Sequence, residues 1–107
     1  MDRVEVQILT SQTRTFIFKL EDKSLSKVFR SFDLLETFGY RLGMPHVKQI
    51  DRGLFELRIR GKQDVRLFFT FRDHKAIVLH GFVKKTMQIP NNELRMAQAR
   101  MRILDEI

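Results

Sequence analysis

Apolar positions along the chain repeat with two different periods, and the change of period marks out its elements. Leu25, Val28, Phe29, Phe32, Leu35 and Phe38 recur at the three-to-four-residue spacing that gathers side chains on one helix face. Ser24 stands where an N-cap belongs, and Gly39 where such a helix would end. Gly43, Met44 and Pro45 then break the chain into a loop. From residue 54 to residue 82 the period falls to two. Phe55, Leu57 and Ile59 alternate with Glu56, Arg58 and Arg60; Val65, Leu67, Phe69 and Phe71 alternate with Arg66, Phe68 and Thr70. Residues 76–82 read as a third strand, with Ile77 and Leu79 on one side and Val78 and His80 on the other. Turns over residues 61–64 and 72–75 join these strands into an antiparallel meander. After Pro90 the helical period returns in Leu94, Ala97, Met101 and Leu104.

The beginning of the chain is less decided. Val4, Val6 and Ile8 alternate with polar residues and predict a short strand, after which Ser11 is placed to cap a helix. Residues 12–21 fit two patterns: Thr13, Phe16, Ile17 and Leu20 are spaced for a helix, while Phe16, Phe18 and Leu20 alternate as in a strand. The order of elements describes an α+β fold, an antiparallel sheet with helices packed on one face, and the 107 residues read as a single domain, 1–107. Its other sheet face is expected to be open to ligands.

Charge sharpens this expectation. The chain carries a net +7, and residues 44–85 hold nearly all of the excess, with ten Lys or Arg against four acids. A concentration of this kind suits a polyanion-binding surface, although a solvated face has the same composition. If Phe55, Leu57, Leu67, Phe69, Ile77 and Leu79 point inward, then Arg58, Arg66 and His80 point to the open face from three consecutive strands. Lys84 and Lys85 follow directly and close the group. Fixed cations placed where charge develops are what phosphoryl transfer requires, and His80 supplies a titratable ring. Phe68, on the same face, is placed to stack on a base. His46 and His74 lack metal-type spacing with His80, so neither a metal nor another cofactor is expected. There is no cysteine, no apolar run near the roughly 18 residues of a membrane span, and no signal-peptide-like stretch at the start, which predicts a cytoplasmic protein.

Residues 53–86, GLFELRIRGKQDVRLFFTFRDHKAIVLHGFVKKT, resemble the HigB-like, phage-associated branch of the RelE/ParE toxin superfamily. The flanking LLETFGYRLGMPHVKQID and IPNNELRMAQARM resemble the same branch. The resemblance implies a RelE-like fold with an N-terminal helical hairpin, which favours helix over residues 12–21. It implies the toxin of a type II toxin–antitoxin system: a ribosome-dependent mRNA endonuclease in which a 2′-hydroxyl attacks the adjacent phosphate without a metal. On that basis Arg66 matches the arginine that contacts the scissile phosphate, and Arg58 stands where RelE proteins carry a catalytic lysine. Lys85 stands where they carry a second arginine, with Lys84 beside it, and His80 matches a histidine of the last strand. Glu56 departs from the lysine of RelE and is expected to modulate the site as a proton acceptor or as a partner of Arg58. The C-terminal tyrosine of RelE has no counterpart, because the single tyrosine is Tyr40. The implied partners are a small HigA-like helix-turn-helix antitoxin, the ribosome and mRNA, with Lys48, Arg52, Arg60 and Lys62 facing ribosomal RNA. Two other functions share this sequence signature: a ParE-like, non-catalytic inhibitor of DNA gyrase, and a non-toxic, phage-derived module that binds RNA or ribosomes. On the sequence alone, Arg66→Ala is expected to abolish growth inhibition and leave the fold intact.

Overall fold

In the computed structural model, which describes residues 3–106, five strands and three helices follow one another along the chain. Strand β1 (Glu5–Ile8) leads into helices α1 (Ser11–Phe18) and α2 (Asp22–Phe38), and a single 3-10 turn (Gly39–Arg41) follows. Strands β2 (Val47–Asp51), β3 (Leu54–Ile59), β4 (Val65–Arg72) and β5 (Lys75–Val83) precede helix α3 (Asn91–Glu106). The sheet order is β1-β5-β4-β3-β2, antiparallel throughout except for the parallel pair β1 and β5. The α+β class and the meander are as the periodicity predicts, and residues 11–18 are helical.

Local chemistry explains the boundaries. Thr10, one residue before the Ser11 expected in that role, caps α1: its hydroxyl accepts from the Thr13 N–H at 3.1 Å. α2 begins three residues earlier than its apolar stripe suggested, so Ser24 is a buried residue inside the helix and not its cap. Gly39 ends α2 at φ +54°, a backbone conformation that side chains with a Cβ resist. Asp73 and His74 both have positive φ, as the two-residue turn between β4 and β5 requires.

The sheet is covered on both faces, which corrects the expectation of an open second face. On the first face, Ile17, Val28, Phe32 and Leu35 of α1 and α2 pack on Leu57, Ile59, Leu67, Phe69 and Val78. On the second, α3 lays Leu94, Ala97, Met101 and Leu104 over Leu54, Phe68, Ile77, Leu79 and Phe82. Ile77 and Leu79 thus belong to the core opposite the one expected of them. A register shift causes this: Phe68 pairs with His80 but Phe69 pairs with Val78, so Leu79 is an extra residue in β5. The carbonyl of Leu79 accepts from Arg100 Nη1 of α3 at 2.7 Å. β2, an edge strand within a polar stretch, was not foreseen.

Gly81 sets how closely α1 approaches the sheet. A Cβ there would lie 2.7 Å from Leu67 Cδ2 and 2.8 Å from Phe16 Cδ2. Gly81→Ala is therefore expected to destabilise the fold by about 1–3 kcal/mol through overpacking. Thermal unfolding checks this, and an unchanged Tm would mean that α1 shifts freely.

Candidate functional site

The alternation of β3 and β4 builds the site. Glu56 and Arg58 alternate with first-face core residues, as do Arg66 and Phe68, so all four belong to the second face, and Arg60 and Asp64 follow and precede them just beyond the paired residues. Arg58 pairs directly with Arg66, and Arg66 with Phe82 of β5. At this end of the sheet no α3 residue lines the surface, and an open cleft of about 420 Å³ remains. Arg58, Arg60, Asp64, Arg66, Lys84 and Thr86 line it. The Lys84 N–H donates to the Asp64 carbonyl at 2.7 Å, which ties the exit of β5 to the entry of β4.

Two carboxylates organise the cations. Asp64 takes Arg66 with both oxygens, Nε to Oδ1 at 3.0 Å and Nη2 to Oδ2 at 3.1 Å. Below them Glu56, only 1% exposed, brings Oε1 within 3.2 Å of Arg66 Nη1 and 3.5 Å of Arg58 Nε. Burial works against the Arg66 charge, but the Asp64 hydrogen bond and the negative charges of Glu56 and Asp64 outweigh it. The guanidinium is held above its usual range and is permanently ionised. A guanidinium has five N–H donors. Three of Arg66's are directed at these carboxylates, leaving one on each terminal nitrogen for a bound anion. Glu56 Oε2 and Arg58 Nε are buried without a hydrogen-bond partner. Lys84 Nζ donates to the Met87 carbonyl at 2.9 Å, and Arg58 Nη1 lies 3.8 Å from Met44 Sδ. With four cations against Asp64 in its wall and Glu56 beneath, the cleft keeps a positive excess.

Of the residues singled out in the sequence, Arg58, Arg66 and Lys84 meet here, with Arg60 beside them and Glu56 underneath. Lys85 is exposed and does not line the cleft. His80 shares the second face with Arg66 but pairs with Phe68, further along the sheet under α3. Its Nε2 lies 3.0 Å from Glu93 Oε1, and its Nδ1 lies 3.4 Å from Arg100 Nη1, which can only donate. These contacts fasten α3 to the sheet. Phe82 occupies the position beside Arg66 that His80 was expected to fill.

Phe68 is fully buried, its ring 5.4 Å from that of Phe82, so it has no free face for a base; the expected stacking role is withdrawn. Lys48, Arg52, Arg60 and Lys62 are all exposed but do not form one patch. Arg52 lies in the turn before β3 and Arg60 and Lys62 in the turn after it. The strand between them spans on the order of 20 Å. Asp64 is the site residue that the sequence reading missed. Its signal was present in the Asp-x-Arg spacing, which puts Asp64 and Arg66 on one face as β4 begins.

The family model described as "Phage derived protein Gp49-like (DUF891)" matches residues 15–102, a span that contains every residue of the cleft. No curated protein matches the chain. With most of its length inside that match, the chain belongs to the Gp49-like family of phage-derived proteins, in the setting of the RelE/ParE-like toxins.

Proposed function

We propose that the protein is the toxin of a toxin–antitoxin pair, an mRNA endonuclease of the RelE/HigB kind that acts on the ribosome. A HigA-like helix-turn-helix antitoxin is its proposed partner. The observation that carries this reading is the meeting of Arg58, Arg66 and Lys84 in one open cleft, the two arginines held by carboxylates and Lys84 by the Met87 carbonyl before any substrate arrives. A phosphodiester under attack gathers negative charge on its oxygens, and preorganised donors stabilise that charge without having to move. The free N–H groups of Arg66 meet one phosphoryl oxygen pair, and Arg58 and Lys84 flank it. The neighbouring 2′-hydroxyl attacks phosphorus, the 5′-oxygen leaves, and a 2′,3′-cyclic phosphate remains. Two groups in the cleft wall can exchange a proton in this step, the half-exposed Asp64 carboxylate and the Lys84 ammonium.

The test uses Lys84→Ala and Arg66→Lys, which keep the buried charges paired. Each is expected to lower transcript cleavage about 10²-fold or more, the loss typical of one transition-state donor. Primer extension on cellular mRNA after induction measures it, with circular dichroism as the control for folding. Two folded, fully toxic variants would overturn the cleft as an active site. Loss of DNA supercoiling with intact transcripts would move the protein to the gyrase inhibitors.

A further inference from the structure

A second groove, of about 280 Å³, adjoins the cleft and shares Arg58 and Arg60 with it. It exists because β2 begins too late. Val47 is the first β2 residue to pair with β3, opposite Leu57, and the Arg58 N–H still donates to the His46 carbonyl at 2.8 Å. Beyond that point Ile59 and Arg60 have no β2 partner, and α2 and the loop ahead of β2 form the opposite wall. Leu34, Pro45 and Ile59 give the groove apolar surface, and Lys27, Arg30 and Arg60 surround it with positive charge. Among the described residues no carboxylate lines it. Among the described residues neither Arg30 nor Arg60 is in an ion pair. Lys27 Nζ donates to the Arg60 carbonyl at 3.1 Å across one end. Gly61 leaves room for that approach, since a Cβ there would lie 2.6 Å from Nζ.

We infer that this groove is a nucleoside subsite, which takes the base of an RNA nucleotide adjacent to the phosphodiester held in the cleft. The inference rests on the proposed function. A site for phosphate alone has no use for apolar surface, and an apolar protein segment gains nothing from unpaired cations around it. A nucleotide offers both characters at once: a flat ring that stacks on aliphatic and guanidinium surfaces, and phosphates on either side. The groove has the scale of one nucleoside, and the shared Arg58 and Arg60 connect base and phosphate along a single strand.

The test is an NMR titration of the full chain with three probes: inorganic phosphate, ribose 5-phosphate, and an adenosine dinucleotide protected from cleavage by 2′-O-methylation. All three are expected to shift the amides of Asp64, Lys84 and Thr86. Only the dinucleotide is expected to shift Ser31, Leu34 and His46. Ser31→Trp, which fills the groove, is expected to weaken the dinucleotide at least tenfold and to leave the response to phosphate unchanged. Should that variant fail to fold, the three probes on the unaltered protein decide the matter. A dinucleotide that moves the cleft amides and not those of the groove overturns the subsite and leaves the cleft standing. Groove amides that respond while the cleft ignores every probe overturn the cleft instead. A groove that ignores the dinucleotide but responds to an acidic peptide of alternating Glu and Leu belongs to a protein partner, and overturns the inference.

Discussion

Arg66→Ala is expected to lose about 3–5 kcal/mol of folding stability, so that its loss of activity will say little about catalysis. Glu56 is buried, and among the described residues the Arg66 and Arg58 guanidiniums are the only cations paired with its carboxylate. Removing Arg66 leaves a charge in the interior with Arg58 Nε at 3.5 Å as its remaining partner and Oε2 without any. Breaking a buried pair from one side carries a penalty of this size because the surviving charge has lost its counter-ion and cannot reach water. Domains of this size are stable by only about 5–15 kcal/mol in total. At roughly 4–8 °C per kcal/mol the fall in Tm should exceed 10 °C. Glu56→Gln in the Arg66→Ala background removes the stranded charge and is expected to recover much of that stability while leaving transcript cleavage abolished. Urea and thermal unfolding of the single and double variants check both statements. A single variant as stable as the parent would show that Glu56 does not depend on Arg66, and the sequence expectation of a freely replaceable arginine would then hold.

That earlier expectation treated Arg66 as a water-facing strand residue, and the reason lies in what alternation encodes. A period of two reports which residues share a face and nothing of what covers that face. It placed Arg58, Arg66 and Glu56 together, and the β3–β4 register bears this out. It gave no hint that Glu56 and Arg66 would be buried against each other, since burial came from side-chain pairing across strands and from the nearby turn that carries Asp64. The long stripes of α2 and α3 were legible because their polar faces are clear. β5 was not, because both of its faces are apolar: with Ala76 and Val78 in one core and Ile77 and Leu79 in the other, no polar residue marks the phase. The extra residue Leu79 then reversed the parity before His80, and nothing in a run of Ala, Ile, Val and Leu announces a bulge. β2 was missed for the opposite reason: it is an edge strand of mostly exposed residues, without the apolar signal that identifies a strand.

The same two-sided burial governs Phe68, where the sequence and the structure make opposite predictions. As a base-stacking residue on an open face, Phe68→Ala would weaken RNA binding and leave stability nearly unchanged. The ring is instead fully buried beneath α3, against Phe82 and among Leu54, Ile77, Leu79 and Ala97. Truncation there is expected to destabilise the protein by about 3–5 kcal/mol, the sum of lost transfer energy and an unfilled cavity. The loss should fall first on α3. Its apolar stripe has no other surface to cover, and what remains is a set of polar ties: Arg72 with Asp105, His80 with Glu93, Gln98 with Asp51, and Arg100 with the Leu79 carbonyl and the Thr13 hydroxyl. The exposed ties contribute roughly 1 kcal/mol or less apiece, and the part-buried, charged hydrogen bonds of Arg100 about 1.5–3 kcal/mol, which does not replace the lost packing. Hydrogen exchange should therefore show the α3 amides losing protection ahead of those of β3 and β4. At temperatures where the variant stays folded, binding of a short RNA should fall by less than twofold, since the cleft is lined by other residues. A Phe68→Ala protein with the parent's Tm and a large loss of RNA affinity would return the ring to the surface, and with it the open sheet face that α3 here denies.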